Sequence, residues 1–296
     1  MARILIGTDD GLRELGTPHA FLDGRSVSAM SGADGNWWAI ADDGHVVSDP
    51  LGGAHTVAAT DGLRANCLLS SGHGLLVGTS EARLFRAADS RLEPIAGFDR
   101  TSGRDGWYTP WGGPPDTRSM SEGPDGALYV NVHVGGIPVS QDGESFRPTI
   151  DVDADVHQVL ADPSRPGWAF AATAQGMTRT ADGGETWTFE SEGLHAPYCR
   201  AVALAGDVVL LTASTGPRGG KAGMFRATLE GGPFERCEMG LPEWFDRNID
   251  THCLAADQEL AAFGTHDGRV YVSEDAGVSW REAASGLPAV RCVTIA

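Results

Sequence analysis

Basic residues are scarce in this 296-residue chain: 22 Lys and Arg stand against 40 Asp and Glu, a formal net charge of −18. A field of that sign repels phosphate, which argues against nucleic acid and anionic membrane as general partners and leaves room only for local basic sites. Long hydrophobic runs are also missing. Stretches such as Val208-Val209-Leu210-Leu211 fall far short of the roughly 18–20 apolar residues of a membrane span. The opening Met-Ala-Arg-Ile-Leu-Ile-Gly-Thr lacks the apolar core of a secretory leader. Cysteine is sparse, at five residues, an odd count with no Cys-x-x-Cys. These absences predict a cytoplasmic protein with reduced thiols, in which Cys67, Cys253 and Cys292 serve as strand packing. No Gly-x-Ser-x-Gly, no Gly-rich phosphate loop before a helix and no His-Glu-x-x-His occurs. No segment sustains a helical period over three turns.

What is present is turn chemistry and a repeat. Glycine numbers 40, and ten Asp-Gly dipeptides mark tight turns. Short strand-like runs recur about every forty residues, the period of propeller blades. A polar residue followed by alternating apolar positions fixes the register. It occurs at Arg25, Asn66, Arg118, His157, Arg200, His252 and Arg291, at intervals of 41, 52, 39, 43, 52 and 39 residues. Each long interval holds an insertion: residues 101–115 in one, residues 216–223 and 242–250 in the other. Seven starts predict an all-β fold, a single seven-bladed β-propeller over residues 1–296. Arg291 leaves one strand before the chain ends, so the C-terminal strand should close the N-terminal blade and remove a free sheet edge.

Two segments carry a finer signature. Thr180-Ala-Asp182-Gly-Gly184-Glu-Thr-Trp187 and Ser273-Glu-Asp275-Ala-Gly277-Val-Ser-Trp280 resemble the Asp-box, or BNR repeat, and Ser140-Gln-Asp142-Gly-Glu-Ser-Phe146 resembles a shortened copy. In such a turn the Asp accepts backbone N–H bonds, Gly permits positive φ and Trp packs on the blade. Asp182, Asp275, Trp187 and Trp280 therefore read as structural. The resemblance is to Asp-box β-propellers, which include sialidase-like and photosystem II assembly factor-like members, and the sialidase Phe/Tyr-Arg-Ile-Pro signature is absent. Fold alone assigns no function in so broad a family.

If the seven aligned residues lead the innermost strands, Arg25, Asn66, Arg118, His157, Arg200, His252 and Arg291 form a polar ring. Two readings follow. Either the guanidinium groups pair with Asp9, Asp10, Asp42, Asp43, Asp116, Asp155 and Asp250 in loops of the same face, or they converge on a carboxylate or phosphate. The second makes Arg118, Arg200 and Arg291 the clamp, with Arg25 and Asn66 assisting. His133 and His266 belong to a second ring, after the second strands. His157 and His252 are the candidates for proton transfer. No short spacing ties three imidazoles together, so no metal site and no cofactor is expected. The insertions add Trp107, Tyr108 and Trp111, and Trp244, Phe245, Asp246 and Arg247. These aromatics either cover a ligand or pack on one another as a loop core. The expected partner is a small anionic molecule or acidic carbohydrate. Any turnover is of hydrolase or lyase type by resemblance, and a protein-binding scaffold or assembly factor is the alternative.

Overall fold

A computed structural model describes residues 2–33 and 35–296. Antiparallel sheets account for nearly all of the regular structure, because β-branched and aromatic alternation is broken every few residues by Asp-Gly turns that no helix tolerates. Seven sheets follow in order, and the fold is that of a seven-bladed β-propeller. Blade 1 begins at Val27–Ala33, blade 2 at Ala65–Ser71, blade 3 at Thr117–Glu122, blade 4 at Val156–Ala161, blade 5 at Tyr198–Ala205 and blade 6 at Leu254–Asp257. Blade 7 is made from both chain ends. Its first strand, Val290–Ile295, pairs with Ile4–Thr8, followed by Gly11–Glu14 and Ala20–Phe21. Ile4 faces Ile295 and Gly7 faces Cys292 in that closing register. Blade 3 has three strands where the others have four.

The chain clusters into two compact units. One comprises residues 1–27, 172–178 and 189–296, the other residues 28–171 and 179–188. In the first, Phe263 stacks on Tyr271 at 5.0 Å and meets Trp280 edge-on at 5.0 Å, with Phe245 against both Phe263 and Tyr271. In the second, Phe98 meets Phe146 edge-on at 5.1 Å and lies 5.7 Å from Trp107. Such pairs add about 0.5–1.5 kcal/mol each beyond the area they bury. All five cysteines are buried and free, as expected of packing residues. Burial pushes the Cys292 thiol up to about 12, so it stays protonated and inert.

The motif turns join the third and fourth strands of blades 4 and 6. Asp182 Oδ1 accepts the Thr186 N–H at 2.9 Å and the Thr180 hydroxyl at 2.7 Å, and Thr180 Oγ1 accepts the Gly184 N–H. Asp275 does the same with Ser279 N–H at 2.9 Å and the Ser273 hydroxyl at 2.7 Å. Asp142 Oδ1 takes the N–H groups of Glu144 and Ser145, two and three residues on, so the shortened copy closes a tighter turn than those of Asp182 and Asp275, which reach the N–H four residues on. Gly277 needs its φ of +83° here, and any Cβ would sit 2.6 Å from Leu210 Cδ2. Trp280 is buried and donates to the Gly277 carbonyl, and Trp187 donates to Thr149 Oγ1. These side chains therefore hold turns.

Candidate functional site

Four of the seven polar positions of the repeat sit at bulges. In blade 2, Ala65 pairs with Thr79 and Cys67 with Gly78, so Asn66 is the extra residue. In blade 3, Thr117 pairs with Val132 and Ser119 with Asn131, which leaves Arg118 extra. In blade 7, Val290 pairs with Thr8 and Cys292 with Gly7, which leaves Arg291 extra. Blade 5 shifts between Cys199 and Val202, around Arg200. A bulge turns its extra side chain out of the pleat, so a long polar group escapes the core face its neighbours occupy. Arg25 and His252 lie before their first strands instead, and His252 has φ +68°.

In the unit of residues 28–171 and 179–188, Arg64 links Asn66 to Asp116. Its Nε donates to Asn66 Oδ1 at 2.9 Å and its Nη2 to Asp116 Oδ2 at 2.7 Å. His133 Nε2 lies 2.9 Å and His157 Nε2 3.6 Å from the same atom, Asp155 Oδ1. Burial works against ionisation of Asp155. The close His133 imidazole and the charges of His157, His133 and Arg118 outweigh it, and its carboxyl sits below the ordinary range. His157 is 0% exposed and His133 3% exposed. The indole of Trp111, itself 70% exposed, lies 5.3 Å from the His133 ring. Tyr108 donates its hydroxyl to Asp153, and that bond raises its pKa. Trp107 packs on Phe98 beneath the Arg104 guanidinium, which makes it the anchor of its loop. Backbone strain gathers here too: Asp155 has φ +48° and Val134, a β-branched residue, φ +50°.

In the other unit the ring arginines meet carboxylates. Arg291 Nη1 lies 3.1 Å from Asp9 Oδ1, and Arg200 Nη1 lies 3.5 Å from Asp250 Oδ1. The arginine–aspartate pairing anticipated for this face is therefore present for Arg200 and Arg291. Arg25 donates its backbone N–H to the Leu22 carbonyl and accepts that of Gly11.

A separate cavity of about 440 Å³ opens in the same unit, lined by Pro242, Trp244, Phe245, Asp246, Arg247, Thr265, His266, Asp267 and Arg269. It is built by the second insertion, folded back so that Phe245 pairs with Ala222 and the Asp246 carbonyl accepts the Gly220 N–H. Trp244 is held between His195 at 4.4 Å and the Arg236 guanidinium at 4.6 Å. Desolvation lowers the pKa of His195, which favours its neutral ring. Arg269 is committed to Asp267 at 3.1 Å. Arg247 and Asp246 are exposed, and neither side chain has an ion-pair partner among the described residues.

No protein-family model and no curated protein matches the sequence. Solved structures do. The chain is similar to an ancestral GH74 enzyme, with a TM-score of 0.66 at 12% identity over 99% of this chain and 40% of that one. It is similar to the GH74 xyloglucanase from Xanthomonas campestris, with a TM-score of 0.64 at 14% identity over 95% and 46%. YCF48 from Cyanidioschyzon merolae gives a TM-score of 0.58 at 16% identity over 86% and 84%. These likenesses show the propeller fold. The chain spans less than half the length of the GH74 enzymes.

Of the residues read from the sequence, the structure brings His133 and His157 together with Asp155, and Trp244 together with His266. Trp107 and Phe245 are loop core. His252 is half-buried, and its backbone carbonyl accepts the Val293 N–H. Asp155 and Arg269 carried no pattern that sets them apart from the other loop charges. Proximity was the missing signal.

Proposed function

We propose that the protein binds a small acidic carbohydrate, or an anion of like chemistry, in the cavity lined by Trp244, Asp246, Arg247 and His266. The observation that carries this reading is Arg247: an exposed guanidinium with no carboxylate partner among the described residues, at the wall of a concave site. About 440 Å³ falls within the roughly 300–1,000 Å³ of small-molecule pockets. A ligand carboxylate suits the guanidinium fork, ring hydroxyls suit the Asp246 carboxylate, and the C–H face of a sugar suits Trp244. Arg200 and Arg291 already neutralise Asp250 and Asp9, so they offer an incoming anion less. Turnover at this site would be of hydrolase or lyase class, with His266 the imidazole within reach. His157 is buried and does not line this cavity. The turn hydrogen bonds support membership among Asp-box propellers, and the reduced, buried cysteines support a cytoplasmic setting.

A protein-binding scaffold is the second reading, favoured by exposed Met239 and Val278, which adjoin where Met239 bridges to Ser279. A thermal-shift screen with glucuronate, citrate and phosphate separates the two. Binding raises the unfolding midpoint by mass action, worth about 2.7 kcal/mol at a hundredfold excess over Kd. The acid-binding reading expects a rise that Arg247→Ala removes. A flat response to all three acids, or an equal rise in the variant, would overturn it.

A further inference from the structure

We propose that His133, Asp155 and His157 form a binding site for a divalent transition-metal ion, with zinc as its representative. Nothing in the cavity of Arg247 bears on this proposal, because all three residues belong to the other unit.

The geometry begins with convergence. His133 follows the second strand of blade 3, and His157 lies on the first strand of blade 4. Both rings present Nε2 to one oxygen, Asp155 Oδ1, at 2.9 and 3.6 Å. The three donor atoms all lie within 4.8 Å of one another. Zinc bonds of about 2.0–2.1 Å in a tetrahedral arrangement set donors about 3.3 Å apart. Side-chain shifts of about 1 Å would therefore close this set on an ion without moving either strand.

Chemistry then narrows the ion. Two imidazoles and one carboxylate suit zinc and its first-row neighbours, whereas calcium and magnesium require shells of oxygen. Both imidazoles are almost wholly buried, and their rings lie 5.9 Å apart at a 36° tilt, so packing fixes the donors before the ion arrives. Trp111 covers the His133 ring. Three protein ligands leave at least one coordination position, as in zinc sites that hold water or substrate. The side chain of Asp155 is 29% exposed and marks the edge facing solvent.

The test is calorimetric titration of the full chain, stripped with a chelator, using zinc, calcium and magnesium chlorides. The expected result is one equivalent of zinc bound, with no heat from calcium or magnesium. His133→Gln and Asp155→Asn should each weaken zinc by more than about tenfold, the least that supporting residues alone are worth. Far-UV circular dichroism verifies that these variants fold. A second measurement needs no variant: cobalt(II) should give a visible d–d band in the wild-type chain that zinc abolishes. Absence of stoichiometric zinc binding in the wild type overturns the proposal. So does undiminished binding in folded His133→Gln, which would place the ion at another histidine.

Discussion

Gly78→Ala is a severe test of how the inner strands pack. Gly78 lies on the second strand of blade 2 opposite Cys67, and its φ lies outside the left-handed region, so the backbone accepts alanine. The obstacle is space. A Cβ would lie 2.5 Å from Cys67 Sγ and 2.5 Å from Thr117 Cγ2. Comfortable contacts between such atoms lie at about 3.5–4.0 Å, so each is short by about 1 Å. Both neighbours are buried, and Cys67 Sγ lies 3.7 Å from the Thr117 carbonyl, which fixes the blade 2 to blade 3 approach. Overpacking of this kind costs about 1–3 kcal/mol, and two clashes place this site at the upper end. The removed glycine returns about 0.5–1 kcal/mol of backbone entropy. The net expectation is a loss of about 2 kcal/mol, or a midpoint roughly 4–8 °C lower at about 2–4 °C per kcal/mol. Urea denaturation followed by tryptophan fluorescence measures it. Gly106→Ala is the control, since nothing lies within 4 Å of that added Cβ, and should change stability little. Adding Cys67→Ala and Thr117→Ser to Gly78→Ala should recover part of the loss. A Gly78→Ala protein as stable as its parent would refute this account of the close approach.

Three further outcomes follow. Asp182→Ala and Asp275→Ala should each cost about 1–2 kcal/mol by denaturant unfolding, because each strands the N–H and hydroxyl groups its carboxylate accepts. The Asp182 carboxyl is held down at about 2, chiefly by the Thr186 hydroxyl and N–H. Its pKa is lower folded than unfolded, so its contribution is complete above the ordinary carboxylate range near 3.8 and disappears as pH falls towards 2; Asp182→Asn should flatten that acid limb in a pH series of melts. Trp280→Ala should cost about 3–5 kcal/mol, since it empties a buried site against Phe263, and a loss under 1 kcal/mol would contradict that packing.

The blade count and the closing strand were legible because they rest on period and turn chemistry, which local sequence expresses. Asn66, Arg118 and Arg291 were found as a recurring polar residue, but the reason was hidden. A bulge adds one residue to a strand, and alternation cannot show which residue is extra. Partner choice was less legible still. Asp116 pairs with Arg64, which is not one of the seven aligned positions, a choice fixed by reach across blades 2 and 3. His133, Asp155 and His157 lie in different blades or on a turn, and only the fold makes them adjacent. Trp107 and Trp244 read alike as exposed loop aromatics, yet Phe98 claims the first while the second lines a cavity.

The Arg247 charge anchors an acid in the proposed site. The direct measurement is calorimetric comparison of glucuronate with glucose, on the wild type and on Arg247→Ala. A hydrogen bond to a charged group is worth about 1.5–3 kcal/mol, so glucuronate should bind about 10- to 150-fold tighter than glucose, and Arg247→Ala should erase that gap. Equal affinity for the two sugars in the wild type, or a preference that survives loss of the guanidinium, would contradict it.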